Sequence, residues 1–133
     1  MKKTLILIPF LLLLLALPMA CAGSFHMDVS GSGNIGFFMF SSDDSGSIMQ
    51  GYLGRGDVDY ESTYSDGTLE TDIDADGTGG FGTILIPENS WESDATYDDD
   101  GSTVSDFGSG TNPTLFLHGW GSSFSGGGFY KIN

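Results

Sequence analysis

The chain has 133 residues, 18 of them acidic and 4 basic, for a net charge of −14 at neutral pH. Such a surface repels nucleic-acid phosphate and anionic lipid and sets both aside as partners. An aromatic content of 13% excludes a wholly disordered chain, and the one cysteine, Cys21, falls too early to staple the body with a disulfide.

Lys2 and Lys3 precede an almost unbroken apolar run from Leu5 to Leu17, and small residues follow at Ala20, Cys21 and Ala22. This is the layout of a secretory signal peptide, with a run shorter than the roughly 20 residues of a membrane-spanning helix. Residues 1–22 are therefore predicted to be a cleaved leader and 23–133 one acidic domain, secreted or held at the cell surface. Two cleavage sites compete. Ala20-Cys21-Ala22 fits the small-x-small rule for a cut after Ala22. Leu17-Pro18-Met19-Ala20-Cys21 resembles a bacterial lipobox, departing from it at Pro18, and implies a cut before Cys21 with a lipid on that cysteine. Gly23-Ser24 would then be a short tether, and the membrane would be met only through the leader or that lipid. All 18 acidic residues lie beyond the leader, where Arg55 and Lys131 alone oppose them, so 18 minus 2 leaves a charge of −16.

Past the leader, short apolar stretches broken by Gly, Asp and Ser predict an all-β domain. Phe25 to Ser30 and Asn34 to Phe40 flank Gly31-Ser32-Gly33 as a hairpin would, and Phe38 and Phe40 make the second strand apolar on both faces. Ser47 to Leu53 follows as a strand. Asp66-Gly67 between alternating runs signals a two-residue turn, which pairs Tyr64 with Leu69, Tyr60 with Ile73 and Val58 with Ala75 on an apolar face. The same register sets Thr63 opposite Glu70, Glu61 opposite Asp72 and Asp59 opposite Asp74, a ladder of carboxylates. Gly80 to Ile86 makes a further strand ending at Pro87. A polar, loop-rich stretch spans about 88–110, and Thr114 to His118 and Gly128 to Ile132 close the chain. The whole reads as a small antiparallel β-sandwich or flattened barrel of about seven or eight strands.

Like charges a few ångströms apart cost on the order of 1 kcal/mol per pair, so the ladder needs either solvent and salt around it or a bound cation. Asp72-Ile73-Asp74-Ala75-Asp76-Gly77 resembles the opening of an EF-hand calcium loop, whose alternating acids supply oxygens and whose glycine allows a sharp turn. Thr83 stands where that loop carries its closing Glu. A calcium site would therefore draw on Asp57, Asp59, Asp72, Asp74 and Asp76, at the end of the hairpin.

Leu115-Phe116-Leu117-His118-Gly119-Trp120-Gly121 resembles a strand and turn of the α/β-hydrolases, but no Gly-x-Ser-x-Gly elbow accompanies it and too little chain follows for the remaining sheet. Arg55-Gly56-Asp57 is a tripeptide that recurs by chance. His26 and His118 are the only histidines, too few for a zinc site of the usual ligands. No catalytic constellation emerges. The sequence thus points to an exported cell-envelope or extracellular structural or interaction protein without catalysis, one that assembles with itself or with an envelope partner. The alternative is a calcium-braced binding module in which Trp91, Tyr97, Trp120 and Tyr130 stack on a glycan. Aromatics gathered on an exposed sheet face would favour the module; aromatics turned inward, with strand edges open, would favour assembly.

Overall fold

The computed structural model describes residues 24–133; the leader expected over 1–22, with Cys21, lies outside the described residues. Ten strands follow one another: β1 (Phe25–Gly31), β2 (Asn34–Asp43), β3 (Gly46–Arg55), β4 (Val58–Ser65), β5 (Thr68–Asp76), β6 (Thr78–Pro87), β7 (Trp91–Asp99), β8 (Ser102–Gly110), β9 (Thr114–Trp120) and β10 (Ser123–Ile132). They form a six-stranded sheet in the order β1-β4-β5-β10-β7-β8 and a four-stranded sheet in the order β2-β3-β6-β9. Every pairing is antiparallel, and neither sheet closes on itself. The all-β class is as read from the sequence. The count is ten strands instead of seven or eight, and the flattened barrel gives way to two open sheets.

Two local readings are corrected. The segment expected to be loop-rich is the β7–β8 hairpin, turning through Asp100 and Gly101, both with positive φ (51° and 89°). Its period of two is faint in the sequence because the inward positions of β7 include the small Ser93 and Ala95 between Trp91 and Tyr97. Nor do β1 and β2 pair. Gly33 carries the chain from one sheet to the other, so that β1 pairs with β4 and β2 with β3.

Large side chains from both sheets fill the space between them. Phe37 of β2 meets Tyr60 of β4 at 4.4 Å between ring centroids, Phe81 of β6 meets Tyr97 of β7 at 5.8 Å, and Trp120 of β9 stacks on Phe124 of β10 at 4.6 Å. Burying each such ring removes on the order of 150–250 Å² from water and dominates the stability of a core this small.

Most polar side chains inside the core are paired, as burial demands, while Ser41 Oγ, Ser93 Oγ and Trp120 Nε1 have no hydrogen-bond partner. Gln50 of β3 accepts hydrogen bonds from Tyr60 and, at 2.9 Å, from Thr71, and its amide donates to Thr83 at 2.9 Å. Asp106 of β8, 2% exposed, accepts from the Tyr130 hydroxyl at 2.6 Å and lies 2.6 Å from His118 Nε2 on the opposite sheet. The Tyr97 and Tyr130 hydroxyls are themselves 2.6 Å apart. Burial pushes the Tyr60 hydroxyl up to about 12 and raises Tyr97 and Tyr130 as well, the last further because Tyr97 and Asp106 stand beside it. Tyr64 is also pushed up to about 12, by burial and by Asp43, whose carboxylate accepts a hydrogen bond from its hydroxyl.

The crossings between sheets need glycine. Gly56, between β3 and β4, and Gly77, between β5 and β6, have φ of 121° and 101°, and their backbones lie against each other. A Cβ on Gly56 would stand 2.0 Å from the Asp76 carbonyl oxygen, and one on Gly77 would stand 1.9 Å from that of Arg55. The glycine that suggested a calcium loop therefore serves a sheet crossing.

Candidate functional site

The outer face of the six-stranded sheet is acidic, because alternate positions of its strands carry the carboxylates. The predicted β4–β5 register is observed pair for pair: Asp59 opposite Asp74, Glu61 opposite Asp72, Thr63 opposite Glu70. The neighbouring strand extends it, since Asp28 of β1 faces Glu61, making the row Asp28–Glu61–Asp72. Beyond the glycines of β10, Glu92, Asp94 and Asp98 of β7 continue the field. Few basic side chains answer it. His26 Nε2 lies 3.5 Å from Glu61, and Lys131 Nζ lies 3.7 Å from Glu92.

Of the residues proposed for calcium, Asp59, Asp72 and Asp74 share this face and border a shallow depression with Glu61 and Ser125. Asp57 precedes β4, and its carbonyl oxygen accepts the Asp76 backbone N–H at 2.8 Å. Because β5 is extended through Asp76, the carboxylates of 72, 74 and 76 stand in a row about 7 Å apart instead of converging. Among the described residues no group of three histidine, cysteine or acidic side chains gathers closely enough to hold a metal.

The ladder has a measurable cost. Asp74→Asn removes the charge opposite Asp59 and is expected to raise stability by about 0.5 kcal/mol at low ionic strength. That gain should fade as salt is added, because the Debye length shortens to about 8 Å at physiological strength. Thermal melting of both proteins across salt concentrations reads the effect. Melting in calcium, in magnesium and in chelator at matched ionic strength separates screening from a bound ion, because a bound calcium would make Asp74→Asn the less stable protein in calcium alone.

The aromatic residues proposed to stack on a glycan lie inside. Trp91 is 9% exposed, Trp120 6%, Tyr97 1% and Tyr130 0%. Trp91 packs edge-on against Phe116 at 5.8 Å, and its Nε1–H donates to the Asn112 carbonyl at 2.9 Å. Tyr97 stacks on Phe124 at 4.9 Å. All four face other rings or buried polar groups.

The acidic turn 98–101, within the stretch expected to be loop-rich, is fastened to the β9–β10 crossing. Asp100 accepts hydrogen bonds from the Ser122 hydroxyl and from the backbone N–H groups of Gly121, Ser122 and Ser123 at 2.9, 2.9 and 2.7 Å. These donors, the Ser122 hydroxyl foremost, hold its carboxyl down at about 2. Sequence could not show this partner, 21 or more residues away.

The outer face of the four-stranded sheet has the opposite character. Its register makes the cross-strand row Phe40–Met49–Ile84–Leu115, and beside it Phe38–Gly51–Gly82–Leu117 and Gly36–Leu53–Gly80–Gly119. Leu53, Leu115 and Leu117 are 71%, 58% and 73% exposed, and Phe38 and Ile86 are 36% and 39% exposed. Phe38 leans over Gly51 and Leu117 over Gly82, so the glycines floor a shallow apolar trough of about 460 Å³. None of the 18 acidic residues stands on this face; its one charge, Arg55, sits at the end beside Asn34, to which it donates a hydrogen bond at 3.3 Å. A sheet face without carboxylates in a chain so acidic, with leucines more than half exposed, is the surface feature that calls for a function.

Comparison with known protein families, with characterised proteins and with solved structures finds no match to this chain.

Proposed function

We propose that this is an exported cell-envelope or extracellular interaction protein that works without catalysis, presenting an acidic sheet face to water and an apolar sheet face to a partner. The observation that carries the reading is the segregation of the two faces on opposite sides of one two-sheet body. Charge keeps such a body soluble while the uncharged face stays available for contact. The leader with Lys2, Lys3 and the run to Leu17 supports export, and a lipid on Cys21 would hold the body at a surface. The alternative, a calcium-braced carbohydrate module, draws on the paired carboxylates of β4 and β5 alone, since the four rings it needs are packed inside.

Adsorption to a phenyl-bearing resin at low ionic strength tests the reading. Loaded at a concentration low enough for the face to be free of any partner, the exported, folded protein is expected to be retained despite its charge, and Leu53→Asp with Leu117→Asp to pass through while melting at the same temperature. Passage of the unaltered protein, or equal retention of the variant, would remove the apolar face from consideration.

A further inference from the structure

We propose that the apolar face of the β2-β3-β6-β9 sheet binds the same face of a second copy of this chain, sheet against sheet. The inference rests on the reading above and names the partner.

Area is the first argument. Four strands about 4.8 Å apart and some seven residues long at about 3.4 Å each give a footprint of about 450 Å² per copy. Side-chain relief raises accessible area above footprint, so two copies remove on the order of 1,000–1,500 Å² from water, which reaches the range of stable interfaces. The shape suits this use. Gly51, Gly80 and Gly82 stand among the outward residues of the inner strands, with Met49, Leu53 and Ile84 between them, so the face is shallow and can meet another sheet at the usual spacing of about 10 Å.

Charge is the second argument, and it discriminates between partners. A body carrying 18 acidic residues is repelled by anionic lipid, and by another acidic protein wherever their carboxylates approach. When two apolar faces meet, the two acidic faces point away from each other across three intersheet gaps, about 30 Å, against a Debye length of about 8 Å. Self-association through this face therefore escapes the repulsion that contact through the six-stranded face would meet. It also follows the commonest symmetry of soluble assemblies, a two-fold pair using one patch twice.

The test is the molar mass in solution, by sedimentation equilibrium, of protein recovered after export from cells expressing the full 133-residue chain, with its intact mass identifying the amino terminus. A dimer is expected at micromolar concentration. Leu53→Asp with Leu117→Asp should weaken association at least about a hundredfold, two changes at about tenfold or more each. Phe107→Asp, at a residue 74% exposed on the other sheet, should leave it unchanged. The milder Leu53→Ser and Leu117→Ser changes answer the same question if the paired aspartates disturb folding. A monomer up to about 100 μM overturns the proposal, and so does a dimer that survives the Leu53 and Leu117 changes. A monomer that binds phosphatidylcholine vesicles, or one that retains the Leu5 to Leu17 run, would give the face a different occupant. A monomer still held by the phenyl resin refutes the pairing and leaves the interaction reading standing; a monomer that the resin releases refutes both.

Discussion

Above about pH 10 the protein is expected to unfold in one steep transition, because its core is built on tyrosines that cannot ionise in place. Tyr60, Tyr97 and Tyr130 are each 1% exposed or less, and burial is the largest cause of the raised value of each. A hydroxyl whose folded value is raised contributes stability that is fully present below its unfolded value, about 10, and lost as the pH climbs toward its folded value. For Tyr60 that folded value is about 12. Between these limits each tyrosine favours the unfolded chain by about 1.4 kcal/mol per pH unit, and three together by about 4. Two to three such units remove about 8–11 kcal/mol, enough to unfold a domain in the lower half of the usual stability range of roughly 5–15 kcal/mol. Tyrosinate absorbance and far-ultraviolet circular dichroism, followed against pH, should therefore change together. Tyr97→Phe should lower the alkaline slope by about 1.4 kcal/mol per pH unit, since it removes one titrating group and leaves Tyr130 still donating to Asp106. Tyrosines that titrate near their ordinary value while the sheets persist would contradict the packing.

What could be read from the sequence was what local geometry determines. Asp66 and Gly67 have φ of 50° and 79°, the twist a two-residue hairpin turn needs, and from that turn the register of all six predicted β4–β5 pairs follows by counting in twos. Gly31-Ser32-Gly33 gave no comparable information. Glycine permits a return in the same sheet and a crossing to the other sheet equally, and distant contacts decide: the Gly33 and Gly56 backbones exchange hydrogen bonds at 3.1 Å each. The place of β10 between β5 and β7 is likewise a non-local choice that no turn signals.

The candidate faces were legible in part. The carboxylate ladder followed from the β4–β5 register, whereas its extension through Asp28 required knowing that β1 lies beside β4. Phe37-Phe38-Met39-Phe40, Ile84-Leu85-Ile86 and Leu115-Phe116-Leu117 each place apolar residues on both faces of a strand, the signature of a strand covered on both sides. Only the pairing order shows that the three runs share one sheet and that their outer residues are in register. The Asp106 cluster had no local signal, because Tyr97, Asp106, His118 and Tyr130 come from four different strands.

Gly77→Ala is expected to destabilise the protein by about 3 kcal/mol or more, combining a left-handed backbone with a collision that nothing nearby can relieve. The added methyl would lie 1.9 Å from the Arg55 carbonyl oxygen and 3.0 Å from the Gly56 Cα, and all of these are backbone atoms at the two crossings. Moving them apart would disturb hydrogen bonds on both sides, including Asp76 N–H to the Asp57 carbonyl at 2.8 Å and Gly77 N–H to the Ser122 carbonyl at 2.7 Å. Gly101→Ala supplies the control, since its φ of 89° is also left-handed but a Cβ there meets nothing within 4 Å. It should cost only the conformational strain, about 1–2 kcal/mol. Chemical denaturation of the two variants separates strain from collision: equal losses would mean that the crossings can part without cost. A larger loss for Gly77→Ala would show that the two sheets are joined through a contact only glycine can make. Gly56→Ala should then match it, and the double variant should fall short of the sum, because both changes push on the same contact.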